Sequence, residues 1–326
     1  MGIVTRDIAN YISELILIGG GTSSPKTPLF DLCASLGNIR RRPSMLIPMS
    51  TLVAPDAASQ TVLTEAASAV AQTATDYDRS QLANVMEIIQ RTVTISATKQ
   101  ASAGEREGIN IAGDSVPLNE VDFQINRALL DVKMHIENSM INGTYVADGG
   151  SAVGSKTSGL LEAITLNLVP AAGADISKAM LNELVNEMVD NGAYLENGII
   201  LCGNREMSII NDLYGFATQD TFSGGTMLRE IWTSKAKLTL VYEPYMPAGS
   251  LVIADVNYIK PSFLALPAVL DGVSPVNPAD IGSGLDVAVY DSSSGGASIK
   301  KIIQANFGLD YTCEALHGKV TGLKTA

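Results

Sequence analysis

The chain of 326 residues is 46% apolar and carries a net charge of −12, with only 17% charged and 5% aromatic residues. Its length suits two domains, or one large body with extensions, and its acidic balance excludes a protein that wraps nucleic acid through a basic face. A surface so poor in charge is rich in Ala, Ser, Thr, Asn and Gly, which suits close packing of protein against protein.

The first stretch predicts a short helix over Thr5–Ile18 stopped by Gly19, Gly20 and Gly21, a turn-rich connector from Ser23 to Pro28, and a helical turn over Leu29–Leu36 ended by Gly37 and Asn38. It reads as an arm and not as a domain. Arg40, Arg41 and Arg42 form the only basic run, expected as a solvated turn or an intersubunit ion-pair site. Met45, Ile47 and Met49 then alternate with Leu46 and Pro48, the pattern of an edge strand.

From Ser44 to Thr98, about fifty residues carry neither lysine nor glycine. Ala54–Thr75 is dominated by Ala, Ser and Thr, with a weak helix expected at Thr64–Gln72, and Gln81–Thr98 is β-biased. A stretch without glycine is no floppy linker. One with so few large apolar side chains cannot bury a core of its own, so it must lie on something else. Two extended runs with a tip between them predict a long projecting hairpin.

After a polar turn over Ser102–Gly108, Leu118, Val121, Ile125, Leu129, Val132, Ile136 and Met140 recur at steps of 3, 4, 4, 3, 4 and 4. That spacing is one continuous helical face. Pro117 suits the first turn and Asn142-Gly143 the stop. A helix over Pro117–Ile141 is roughly 36 Å long, a spine for a plate. Arg127 with Asp131, and Lys133 with Glu137, are expected as i,i+4 pairs on its wet face.

Thr144–Ser158 is expected as a Gly/Ser-rich surface loop. Asp175 is expected to cap a helix over Ile176–Asp190 with Met180, Leu184 and Met188 inward and Asn191-Gly192 at its end. Gly198–Cys202 predicts a buried strand, Arg205–Leu213 a short helix, and Leu238–Tyr242 and Leu251–Ala254 strands. Together they form a mixed α/β module. Leu285–Tyr290 and a last strand pair over Ile299–Leu323 follow, expected to return beside the spine helix. There is no internal repeat.

Catalytic chemistry finds little support. Of two histidines, His135 lies four residues after Asp131, which predicts a helix-face ion pair, and His317 lies near Cys313 and Glu314, which core packing in a strand explains. Gly149–Thr157 misses a phosphate-binding loop by one place: Ser155 stands where lysine is needed, Lys156 is one late, and the segment follows a helix instead of a strand. Cys33, Cys202 and Cys313 have no disulfide or zinc spacing. No signal peptide, myristoylation site or membrane-length run occurs, so the chain reads as soluble and intracellular. The expectation is no catalytic residue, no cofactor and no metal site.

The order of parts resembles the major capsid (major head) proteins of tailed bacteriophages, with their Hong Kong 97-type capsid fold. The residues that carry the resemblance are the β-biased run into Ile95–Thr98, the helix containing Asp131–Glu137, Asn142-Gly143 followed by Gly159-Leu160-Leu161, the strand Ile199–Asn204, the Pro-rich turn before Leu251–Asp255, and the ending Gly308–Gly322. The resemblance implies an α+β fold with an N-terminal arm (1–43), an extended loop reaching over a neighbour (44–98), a peripheral domain built on the spine helix (99–174 and 272–326) and an axial domain (175–271). It implies a structural protein and not an enzyme. Such a protein self-assembles as pentamers and hexamers into an icosahedral virus head around double-stranded DNA, made in the host cytoplasm and resident in the virion. Portal, scaffolding and cement (decoration) proteins are the implied partners, with DNA held only by non-specific proximity and no membrane contact. No lysine lies between Lys26 and Lys99, so an isopeptide bond from the loop, used by some capsids of this fold, has no starting group here. The short N-terminus leaves no room for a built-in scaffolding segment, and a separate scaffolding protein is expected. Three other readings stand beside this one: an encapsulin-like nanocompartment shell, a soluble α/β enzyme with an unrecognised site, and a tail-tube subunit.

Overall fold

A computed structural model describes residues 27–49, 62–70, 81–98, 120–147, 154–214, 220–223, 226–233, 235–264, 273–276, 287–292 and 296–325. The expected helix at Thr5–Ile18 and the polar turn at Ser102–Gly108 lie outside them.

Helix α1 (Pro28–Ser35) has proline in its first turn and ends at Gly37, whose φ of +70° suits a residue without Cβ. Leu29, Phe30 and Cys33 are fully buried, so this part of the expected arm is docked on the body. Arg40–Arg42 is strand β1 and not the expected turn. Next, β2 (Leu46–Pro48) buries Ile47 and leaves its neighbours out, the alternation read from the sequence. One turn of helix, α2 (Glu65–Ser68), is capped by the Thr64 hydroxyl, which accepts from Ala67 N, and buries none of its residues. β3 (Ala83–Val85) pairs antiparallel with β2 as the two-stranded base of the loop, and β4 (Glu87–Ser96) continues the chain.

The spine is α3 (Glu120–Asn142). Leu129, Val132, Ile136 and Met140 are buried on it as the spacing requires, and Ala128 and Ile141 join them. Gly143 ends the helix for a reason of space. A Cβ there would lie 2.5 Å from both Ser139 O and Thr157 O, and one on Gly159 would lie 2.5 Å from Gly143 N. Two backbones cross where no side chain fits. The expected surface loop is therefore pinned at its end: Thr157 and Ser158 are buried, and Val146 bridges Lys156.

The chain goes on through α4 (Leu160–Ala163), β5 (Leu168–Pro170), α5 (Lys178–Asp190), β6 (Gly198–Cys202), α6 (Asn204–Tyr214), β7 (Asp220–Ser223), β8 (Thr226–Trp232), β9 (Lys237–Tyr242) and β10 (Leu251–Asp255). Ser177, and not Asp175, caps α5 by accepting from Met180 N; Asp175 instead pairs with Arg205 at 2.7 Å. All five residues of β6 are buried because both faces of its sheet are covered. Ile199 and Leu201 enter the core shared with the spine, while Ile200 and Cys202 face the side of α5. Each of these large side chains contributes about 1.5–3 kcal/mol by leaving water.

Last come β11 (Lys260–Leu264), β12 (Val273–Val276), β13 (Val287–Ser292), β14 (Ser298–Asp310) and β15 (His317–Thr321). Two large sheets result. The first has the order β1-β11-β14-β13-β12, with β4 lying along β14 from Glu87↔Phe307 to Ser96↔Ser298. The second has seven strands in the order β5-β15-β10-β6-β9-β8-β7. Strand membership departs from the sequence expectation in two places. β15, expected to close the spine-helix body, pairs with β10 in the second sheet, and β11, from the expected axial segment, pairs with β14 in the first. A short 3-10 turn at Glu314–Leu316 divides the expected last strand pair.

Candidate assembly surface

The loop between β2 and β3 is stapled to the body by one side chain. Asn84 is 1% exposed and uses all its hydrogen-bonding capacity. Its amide nitrogen donates to Ser158 O at 3.1 Å and Leu309 O at 2.8 Å, and its oxygen accepts from Ser158 N and Val85 N, both at 2.9 Å. Thr157 Oγ1 accepts from Leu309 N at 3.0 Å, and Ser155 Oγ donates to Met86 O at 2.6 Å. Gly308 in β14 lets the loop base come close, since a Cβ would lie 2.5 Å from Ile47 Cδ1 and 3.0 Å from Val85 O. Beyond this anchor the described loop residues turn apolar groups outward: Val62 is 97% exposed, Val70 65% and Leu82 54%. A fixed base and an apolar limb without a core of its own are what a contact with another chain needs.

Arg40–Arg42 lies at the edge of the first sheet, parallel to Ser262–Leu264. Arg42 pairs with Asp310, and the three arginines, Pro48, Lys260, Asp310 and Thr312 line an open cleft of about 390 Å³. A charged edge strand resists unwanted pairing with other strands.

The spine helix holds a buried polar group that the sequence reading put in water. Lys133 and Glu137 are 6% and 0% exposed and do not form the expected wet-face pair. Lys133 pairs with Asp31 of α1 at 2.5 Å. Both oxygens of Glu137 cap α1, accepting from Leu29 N at 2.7 Å and Phe30 N at 2.8 Å. Pro28 has no N–H, and the Thr27 hydroxyl donates to Asp31, so the cap comes from more than a hundred residues away. Glu243, also fully buried, lies against Glu137. Burial, then the neighbouring Glu243, raises Glu137 well above the ordinary carboxyl range; burial pushes Glu243 up to about 7, opposed by the hydrogen bond its Oε1 accepts from Tyr245 N. Each therefore holds its proton more tightly than a carboxyl in water does. A signal for this was present: at 100° per residue, positions 133 and 137 fall between Met140 and Ile141 around the helix, and both of those residues are buried.

The remaining candidates have structural roles. His135 lies 3.6 Å from Glu87, not against Asp131. His317 is fully buried, and burial lowers its pKa to about 4, so the ring is neutral and Nε2 donates to Tyr311 O at 3.0 Å. It does not share a strand with Cys313, which precedes the 3-10 turn. Burial raises the Cys33 thiol far above its usual value and that of Cys202 to about 12, which makes both poor nucleophiles. Among the described residues no group of three metal-ligating side chains occurs, and no helix is long and apolar enough to cross a membrane.

The SrpI encapsulin of Synechococcus elongatus PCC 7942 superposes with a TM-score of 0.56 at 11% identity, over 99% of this chain and 98% of that one. The capsid protein of cyanophage A-1(L) gives 0.62 at 12% identity over 91% and 93%. The capsid of a native GTA particle gives 0.55 at 12% over 98% and 99%. These matches establish the Hong Kong 97-type α+β fold, which phage heads and encapsulins share. No curated protein sequence matches the chain. The family model of the SU10 major capsid protein matches residues 49–324, which take in the loop beyond β2, the spine and every strand of the second sheet. The chain belongs to the SU10 major capsid protein family, and it is a structural component of the virion shell and not an enzyme.

Proposed function

We propose that the loop from Ser44 to Thr98 reaches over a neighbouring copy and that this contact closes pentamers and hexamers into an icosahedral head around double-stranded DNA. The single observation that carries this reading is the loop itself. Its base is fixed by Asn84, and its one-turn helix α2 buries nothing within its own chain. Contacts that rotate and close make rings, and the effective concentration inside a ring makes weak contacts cooperative. In this scheme residues 1–43 form the arm. The first sheet and α3 act as the peripheral body, and the second sheet with α5 and α6 as the axial body that meets its copies at the five-fold and local six-fold axes. The loop offers no lysine between Lys26 and Lys99 for covalent cross-linking, so the shell relies on non-covalent contacts and on cement proteins. A portal for DNA entry and a scaffolding protein complete the set of partners, and assembly takes place in the host cytoplasm. DNA is held only by proximity, since an acidic chain gains nothing from counterion release.

The test is deletion of Thr51–Ser80, followed by electron microscopy and circular dichroism. The expected product is a folded subunit that fails to form shells. Intact spheres from the deleted chain would remove the loop from its assigned role, and rods from the full chain would point to a tail tube.

A further inference from the structure

We propose that the arginine cleft at the root of the loop receives the acidic stretch, residues 50–80, of a neighbouring copy's loop. This rests on the reading that the loop reaches a neighbour, and it names the landing site. Four cations, Arg40, Arg41, Arg42 and Lys260, line the cleft against one carboxylate, Asp310, in a chain whose net charge is −12. Arg42 pairs with Asp310 and Lys260 donates to Thr312, while Arg40 and Arg41 on the same edge strand are exposed. A cleft lined by one sign of charge focuses its field on groups of the opposite sign. Its backbone edge is a poor place for another strand, because charged side chains crowd it. What the cleft offers is therefore its side-chain cations.

The loop supplies the matching charge. From Ser50 to Ser80 the sequence holds Asp56, Glu65, Asp76 and Asp78 against one cation, Arg79, and no lysine. Glu65 lies in the exposed turn of α2. Acids on the body are less available: Asp175, Asp190 and Glu230 already hold Arg205, Lys235 and Lys237. The apolar parts match as well. Pro48 lines the cleft, and Leu46, two residues earlier on the same face of β2, is exposed, as are Val62 and Leu63 beside α2. The two patches differ: one lies where a loop leaves its body, the other on the loop beyond. A contact between them is head to tail, and repeated by rotation it closes a ring. Carboxylate against guanidinium fixes register and excludes wrong partners more than it adds strength, which lets a long loop select one landing site.

The test reverses the charge on each side in the full-length chain. Arg40→Glu with Arg41→Glu changes exposed side chains only. The subunit should keep wild-type circular dichroism, while the concentration at which shells form should rise at least about tenfold, because like charges now meet. Glu65→Arg with Asp76→Arg and Asp78→Arg should do the same, and both sets in one chain should bring the threshold back toward wild type. A mixture of the two defective chains should give oligomers containing both, seen by native mass spectrometry, because each acidic cleft then meets a basic loop. Shells of Arg40→Glu/Arg41→Glu at the wild-type threshold overturn the inference, and less DNA inside them would assign the cleft to phosphates. Arg40→Gln with Arg41→Gln is read in the same way if reversal impairs folding. Failure of the combined chain to recover also overturns it. So does recovery in that chain without mixed oligomers, which would place the occupant in the same subunit. The underlying reading is judged separately: it falls if shells form without Thr51–Ser80, whereas shells that need the loop but ignore the arginines remove the cleft alone.

Discussion

Asn84→Ala tests the staple beneath the loop. The side chain is 1% exposed, and its removal deletes four hydrogen bonds at once. Ser158 O, Ser158 N and Leu309 O are left facing a dry gap. A buried backbone group without a partner costs about 1–3 kcal/mol. Three of them at the lower end give about 3 kcal/mol, or roughly a hundredfold in the equilibrium between attached and detached loop base. Alanine leaves no space for water to restore all three bonds. The loss should be local, since the two sheets keep their own pairing, so the far-ultraviolet circular dichroism should stay that of the wild type. Hydrogen–deuterium exchange should show loss of protection in 83–90 and 155–159, and sedimentation should show shells forming only at higher subunit concentration. Asn84→Asp should be at least as harmful, because it loses both donated bonds and sets a carboxylate against two carbonyl oxygens. An Asn84→Ala chain with wild-type exchange in both segments and an unchanged assembly threshold would refute the reasoning.

Gly143→Ala should destabilise the chain by about 2 kcal/mol or more, because the clash is with backbone oxygens of Ser139 and Thr157 that no rotamer relieves; a melting temperature within a degree of wild type would count against the crossing. His317 predicts an acid-side loss of stability. Its pKa falls from 6.5 to about 4 on burial, so the folded state binds fewer protons and stability declines as pH drops from 6.5 toward 4. The decline amounts to about 3 kcal/mol, because a tenfold change in proton affinity is worth about 1.4 kcal/mol. His317→Gln, which retains a donor for Tyr311 O, should flatten this slope in urea titrations at successive pH values, and an unaltered slope would assign the acid sensitivity elsewhere.

Much of the architecture was legible because apolar spacing reports which side chains leave water. The 3-and-4 rhythm from Ile125 to Met140 marked the spine, and the five-residue apolar run Gly198–Cys202 marked a strand covered on both faces. The helical turn at the start of Thr64–Gln72 and the alternation around Ile47 were equally local. The loop carries no glycine and few large apolar groups, and its described helix α2 buries none of its residues in its own chain. These features depend on neighbours within a few positions, and the chain itself supplies them.

What spacing could not supply was the identity of partners far away in the chain. Lys133 and Glu137 stand four apart, and in an isolated helix they would pair; here a second helix arrives from residues 28–35 and takes each of them separately. Asn84 resembles any polar loop residue until Ser158 and Leu309 close around it. His317 and Lys319 alternate like any edge strand, yet β15 crosses to the second sheet because β10 offers a free edge there while β14 is already flanked by β4, β11 and β13. Local rhythm sets how much of each element must be buried. Which surface buries it depends on where backbone donors and acceptors remain open once the rest of the chain has folded, and that is a property of the assembled whole.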